Sequence, residues 1–134
     1  MKQGGARAYP RYKLFLPLEL QSIETISDNM TYPPLRFKTV TRNISLGGVL
    51  IELGKDMNGL KNDWKPEWFK ERFFWLHIMG IPSMPDGMYT KAKVVRFVDK
   101  DENSNPLIAM EFKDLLKRVM NDLKDFLDSL SKFE

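Results

Sequence analysis

The chain has no cysteine and a single histidine among its 134 residues. Without thiols there can be no disulfide, thiolate metal site or cysteine nucleophile, which fits a reducing, cytoplasmic setting. The one imidazole, His77, lies in the apolar run Trp75-Leu76-His77-Ile78, where a structural or rim position is expected rather than a catalytic one. Long uncharged stretches are also missing. The longest, Phe73 to Pro85, is interrupted by His77, Gly80 and Pro82 and is too short for a membrane-spanning helix. The opening Met-Lys-Gln-Gly-Gly-Ala-Arg has no apolar core, so no secretory signal is expected and the Asn43-Ile44-Ser45 glycosylation pattern carries no meaning. No Gly-Lys-Ser or Gly-Lys-Thr phosphate loop occurs, and no Ser-His-Asp set can be assembled. An enzyme is not expected.

What remains is the composition of one globular domain: 43% hydrophobic, 29% charged and 12% aromatic. A chain of this length buries enough surface to hold a core without staples. The net charge of +3 is too small for general nucleic-acid binding, but it is unevenly spread. Lys2, Arg7, Arg11 and Lys13 all precede the first acid, Glu19. Residues 1–12 therefore read as a flexible basic arm and 13–134 as the folded domain.

Alternating apolar residues predict six strands, near Lys13–Leu20, Leu35–Asn43, Val49–Leu53, Phe73–Met79, Met88–Val98 and Pro106–Phe112. In the second, the period of two places Phe37, Thr39, Thr41 and Asn43 on one face. Gly47-Gly48 predicts a hairpin turn using φ > 0. Asp63 and Pro66 are expected to open a short helix through Arg72. Leu115, Leu116, Val119, Met120, Leu123, Phe126, Leu127 and Leu130 recur at helical spacing, predicting an amphipathic helix over 114–133 with Asp114 as N-cap. Strands followed by one terminal helix imply a mainly β fold, a small antiparallel barrel flanked by that helix. The helix could pack on the barrel or form a homodimer.

Most remaining features have ordinary explanations. Asp99, Asp101, Asn103 and Asn105 alternate like a calcium loop, but Ser104 and Met110 occupy its glycine and glutamate positions, so a polar turn is expected. Trp64, Trp68, Phe69, Phe73, Phe74 and Trp75 read as core and lid packing rather than a base-stacking platform. Two motifs are left. In Arg7-Ala8-Tyr9-Pro10-Arg11, Pro10 disfavours helix, and in extended chain residues four apart point the same way. Two guanidinium forks can then address one anion or purine. In Asn43-Ile44-Ser45-Leu46-Gly47-Gly48, an amide and a hydroxyl sit two apart at a strand end, and Gly48 permits a tight turn and removes a Cβ that would obstruct a ligand. Either motif alone is also what a tail or a hairpin would contain.

With both motifs in this order, and with Leu107-Ile108-Ala109-Met110-Glu111-Phe112 leading into the terminal helix, the chain resembles the PilZ domain family, bacterial receptors for the second messenger cyclic di-GMP. The resemblance implies a six-stranded antiparallel β-barrel with a helix at one end, and no cofactor beyond the nucleotide ligand. It implies that Arg7 and Arg11 contact guanines and phosphates, and that Asn43, Ser45, Gly47 and Gly48 hold a guanine edge against the barrel. The family often carries aspartate at the position of Asn43, arginine at that of Ala6 and glycine at that of Ala109. The expected partners are cyclic di-GMP and an effector protein, because the chain shows no second output domain. A PilZ-like adaptor that does not bind the nucleotide and a small-barrel RNA binder are the alternatives.

Overall fold

Successive β-strands in this chain bury every second residue, and the computed structural model closes them into a barrel. It describes residues 9–23, 34–53, 66–98 and 106–131. The elements are β1 (Pro17–Ser22), β2 (Arg36–Ile44), β3 (Gly48–Glu52), β4 (Phe73–Ile78), β5 (Met88–Val98), β6 (Leu107–Lys113) and α1 (Lys117–Ser131). All neighbouring strands are antiparallel, in the order β1-β2-β3-β6-β5-β4, with β4 pairing back onto β1. Closure leaves no unpaired edge. The expected mainly β barrel with a terminal helix is what forms.

The inward set includes Leu18, Leu20, Phe37, Ile44, Ile51, Phe74, Leu76, Ile78, Val94, Ile108 and Met110, all buried in one core. Helix α1 adds Leu123 and Leu127, at 0% and 2% exposure, to the same cluster. These two leucines therefore pack on the barrel of their own chain, where each buried side chain contributes about 1.5–3 kcal/mol of hydrophobic stabilisation.

Several local expectations are corrected. The alternation Leu14, Leu16, Leu18, Leu20 continues ahead of the first strand, yet β1 begins only at Pro17. The stretch before it is held by the buried Thr41, whose hydroxyl accepts from the Leu16 amide and donates to the Leu14 carbonyl. Helix α1 starts at Lys117 rather than at Asp114. Asp114 has φ 57°, the left-handed conformation, whereas an N-cap residue is extended. Leu116 supplies the first helical acceptor, its carbonyl receiving the Met120 amide at 2.8 Å. Of the short helix expected through Arg72, the described part is a single 3₁₀ turn, Pro66–Trp68. It stops before Glu71, which has φ 55°. The aromatic cluster is divided. Phe69 and Phe74 are fully buried, but Trp75 is 53% exposed on the outer face of β4, and Trp64 lies outside the described residues. Asp63 and the Asp99–Asn105 pattern also lie outside them. Glycine is needed for φ > 0 at Gly80 and Gly87, not at Gly47 or Gly48.

Candidate functional site

The site follows from how the arm is tied to the barrel. Tyr12 and Ile44 exchange both backbone hydrogen bonds at 2.9 Å, a single antiparallel bridge at the end of β2. With the Thr41 contacts, that bridge fixes the path of residues 12–16 along β2. It delivers Arg11 and Tyr9 to the turn between β2 and β3. Tyr9 then lies over Gly47, whose missing Cβ would stand 3.1 Å from the tyrosine ring. Arg7 lies outside the described residues.

The turn is built by Ser45. Its amide donates to the Gly48 carbonyl at 2.9 Å, and its Oγ accepts from the amides of Gly47 (3.1 Å) and Gly48 (3.3 Å). Because the oxygen is used as an acceptor, the hydroxyl hydrogen is what Ser45 has to offer a ligand. Gly48 is required by close packing. A Cβ there would stand 2.1 Å from the Met110 carbonyl oxygen, so β3 and β6 could not keep their spacing.

Asn43 is placed by an irregularity that a period of two does not foresee. The register of β2 against β3 shifts between Thr41 and Asn43. Arg42 and Asn43 both turn outward, while Thr41 stays buried in the interior. Asn43 is therefore on the opposite face from Thr41, Thr39 and Phe37, contrary to the strict alternation. A β-bulge has this effect, bending the strand and re-aiming a side chain.

Arg11, Asn43, Ser45, Gly47 and Gly48 thus line one cleft of about 340 Å³ on the outside of the barrel. Tyr9 closes it from the arm side, and Ala109, Glu111 and Arg96 complete the floor and far wall. The motif residues described here, separated by more than thirty positions in sequence, converge in space. Tyr9 and Arg96 were missed by motif spacing. Tyr9 sits inside the first motif and could have been read as a lid, whereas only the structure reveals Arg96. Glu111, the one carboxylate among the described residues lining the cleft, is paired with Lys113.

His77 plays no part in this cleft. Its ring stacks on Tyr89 at 4.0 Å, and its Nε2 lies 2.9 Å from the Asp86 carbonyl, a rim position on the β4–β5 hairpin. Among the described residues no group of three metal-ligating side chains comes together, and no helix is long and apolar enough to cross a membrane.

A closed six-stranded antiparallel barrel with a cleft under an N-terminal arm and one terminal helix defines a class of small β-barrel domain. The sequence matches the PilZ domain profile over residues 6–129, and the chain belongs to the PilZ domain family. Solved structures agree on the fold. The Bacillus subtilis inhibitor of motility MotI/DgrA superposes with a TM-score of 0.69 at 16% identity, covering 99% of this chain and 54% of that one. The PilZ domain of Escherichia coli YcgR, solved with c-di-GMP, gives 0.57 at 23% identity, covering 95% and 92%. The K. pneumonia MrkH–c-di-GMP complex gives 0.63 at 12% identity, covering 95% and 53%. The chain thus spans about half the length of MotI/DgrA and MrkH. No curated protein matches the sequence.

Proposed function

We propose that the protein is a non-enzymatic, cytoplasmic receptor for cyclic di-GMP that passes the second-messenger level to a partner protein. The observation that carries this is the convergence of Arg11, delivered by the arm, with Asn43, Ser45 and Gly48 on one cleft. Arg7 and Arg11 would grip the ligand's two phosphodiester charges and stack on or fork against its guanines. Asn43 and the Ser45 hydroxyl would read a guanine edge, and Gly47 and Gly48 add no side chain of their own to the cleft. The structures of YcgR and MrkH with c-di-GMP support the choice of ligand.

Capture of the nucleotide would fix the arm against the barrel and change the surface presented to an effector. One charge-assisted hydrogen bond contributes about 1.5–3 kcal/mol, so Arg11→Ala should weaken binding about ten- to a hundredfold. Calorimetric titration with cyclic di-GMP tests this. Saturable uptake by the native protein, reduced in that variant, is expected. Absence of uptake by the native protein would refute the assignment, and steep salt-dependent binding to arbitrary RNA would replace it with the RNA-binding alternative.

A further inference from the structure

The register of the barrel contains a row that crosses the cleft from wall to wall. Asn43 on β2 pairs with Leu50 on β3, Leu50 pairs with Ala109 on β6, and Ala109 pairs with Arg96 on β5. All four line the same cleft. Three interstrand steps of about 4.8 Å separate its ends by about 14 Å.

Both ends of the row are bulges. As β2 slips between Thr41 and Asn43, so β5 slips between Val94 and Arg96. On the alternation that runs from Met88 to Val94, Val95 faces outward and Arg96 would face the core. The extra residue instead turns both outward, with Val95 58% exposed and Arg96 exposed beside it. Bulges concentrate beside functional sites because they re-aim one side chain without rebuilding the sheet. Among the described residues no carboxylate pairs with Arg96. The neighbour of Arg96 in the row is the small Ala109, so the floor directly beside Arg96 carries no bulky side chain, and Leu50 stands between Ala109 and Asn43.

We infer that Arg96 is a further ligand-binding residue, a cation set on the barrel wall opposite Asn43, whose fork engages acceptor oxygens at the far end of the bound dinucleotide. The inference rests on the cyclic di-GMP assignment and goes beyond its two motifs. Arg11 approaches from the β2 side, so a ligand with two separated anionic groups would be held from both walls. The guanidinium is planar and suited to bidentate contact, which an ammonium cannot reproduce.

Calorimetry with cyclic di-GMP on the native protein, Arg96→Ala, Arg96→Lys and Arg11→Ala tests it. Loss of one charge-assisted contact predicts about a tenfold or larger rise in Kd for Arg96→Ala, with Arg96→Lys recovering only part. Thermal melting should be unchanged, because the side chain is exposed. The Arg96 Nε–H resonance, assigned by its absence from Arg96→Ala, should shift on titration. If Arg96→Ala binds within twofold of the native protein while Arg11→Ala is weakened, this inference is overturned and the receptor assignment stands. If the native protein takes up no cyclic di-GMP, both fall.

Discussion

Gly47 and Gly48 are adjacent, yet the structure predicts opposite outcomes when each is changed to alanine. At position 48 the added Cβ would stand 2.1 Å from the Met110 carbonyl oxygen, 3.2 Å from its carbonyl carbon and 3.3 Å from the Glu111 Cα. These are backbone atoms of β6, so relief requires the two strands to part by about an ångström where Gly48 and Glu111 pair. Overpacking of this kind costs about 1–3 kcal/mol or more, which for a domain of this size lowers Tm by several degrees per kcal/mol. At position 47 the nearest atom is the Tyr9 ring at 3.1 Å. Tyr9 is 39% exposed and its ring can swing away, so the fold is unaffected while the arm loses its seat over the turn. Differential scanning calorimetry should show a clear fall in Tm for Gly48→Ala and almost none for Gly47→Ala. Cyclic di-GMP titration should show weakened binding for Gly47→Ala despite its native stability. A Gly48→Ala protein that melts within a degree or two of the native one would refute the close-approach argument.

Other expectations follow from the same geometry. Gly87 has φ 94°, and a Cβ there would stand 2.2 Å from His77 Nε2; Gly87→Ala should therefore cost about 1–3 kcal/mol in chemical denaturation and break the His77–Tyr89 stack. Because Leu123 and Leu127 are buried against the barrel, changing both to aspartate should abolish the folded state by circular dichroism, whereas a folded monomer would mean that they serve an interface instead. Glu19 donates nothing but accepts a 2.8 Å hydrogen bond from Arg36, and that bond holds its carboxyl below the usual range, helped by the charges of Arg36, Lys38 and His77 and opposed by desolvation. A depressed carboxyl stabilises the fold above its unfolded value and loses that contribution as pH falls through the folded one. Arg36→Ala should therefore lower stability at neutral pH by under about 1 kcal/mol, since the pair is at the surface, with the difference vanishing in acid melts.

The strands were legible because their interior positions obey a strict period of two, as in Phe74, Leu76 and Ile78 on β4. The helix was legible through the spacing of Leu123 and Leu127. What escaped was every place where a side chain or backbone contact from another element overrides the local pattern. Leu14 and Leu16 continue the alternation of β1, but Thr41 on β2 claims their backbone groups. Asp114 resembles an N-cap, yet its left-handed φ ends β6 before the helix begins. In the site, the two motifs were readable as residue types, while their relation was not. The bulge after Thr41 moves Asn43 to the outer face, and the bulge after Val94 brings out an arginine with no motif to announce it. Both depend on which residues oppose each other across strands, and nothing in a single strand's sequence specifies that.

The reciprocal bond pair between Tyr12 and Ile44 also acts as a tether point. Tyr9 and Arg11, just ahead of it, are leashed to one spot on β2, and a polypeptide spans at most about 3.3–3.6 Å per residue. Tyr9 is three positions upstream, so its Cα lies within about 11 Å of that spot. This radius falls short of the width of the row from Asn43 to Arg96, and lengthening or shortening the leash by a residue would change which part of the cleft the tyrosine covers.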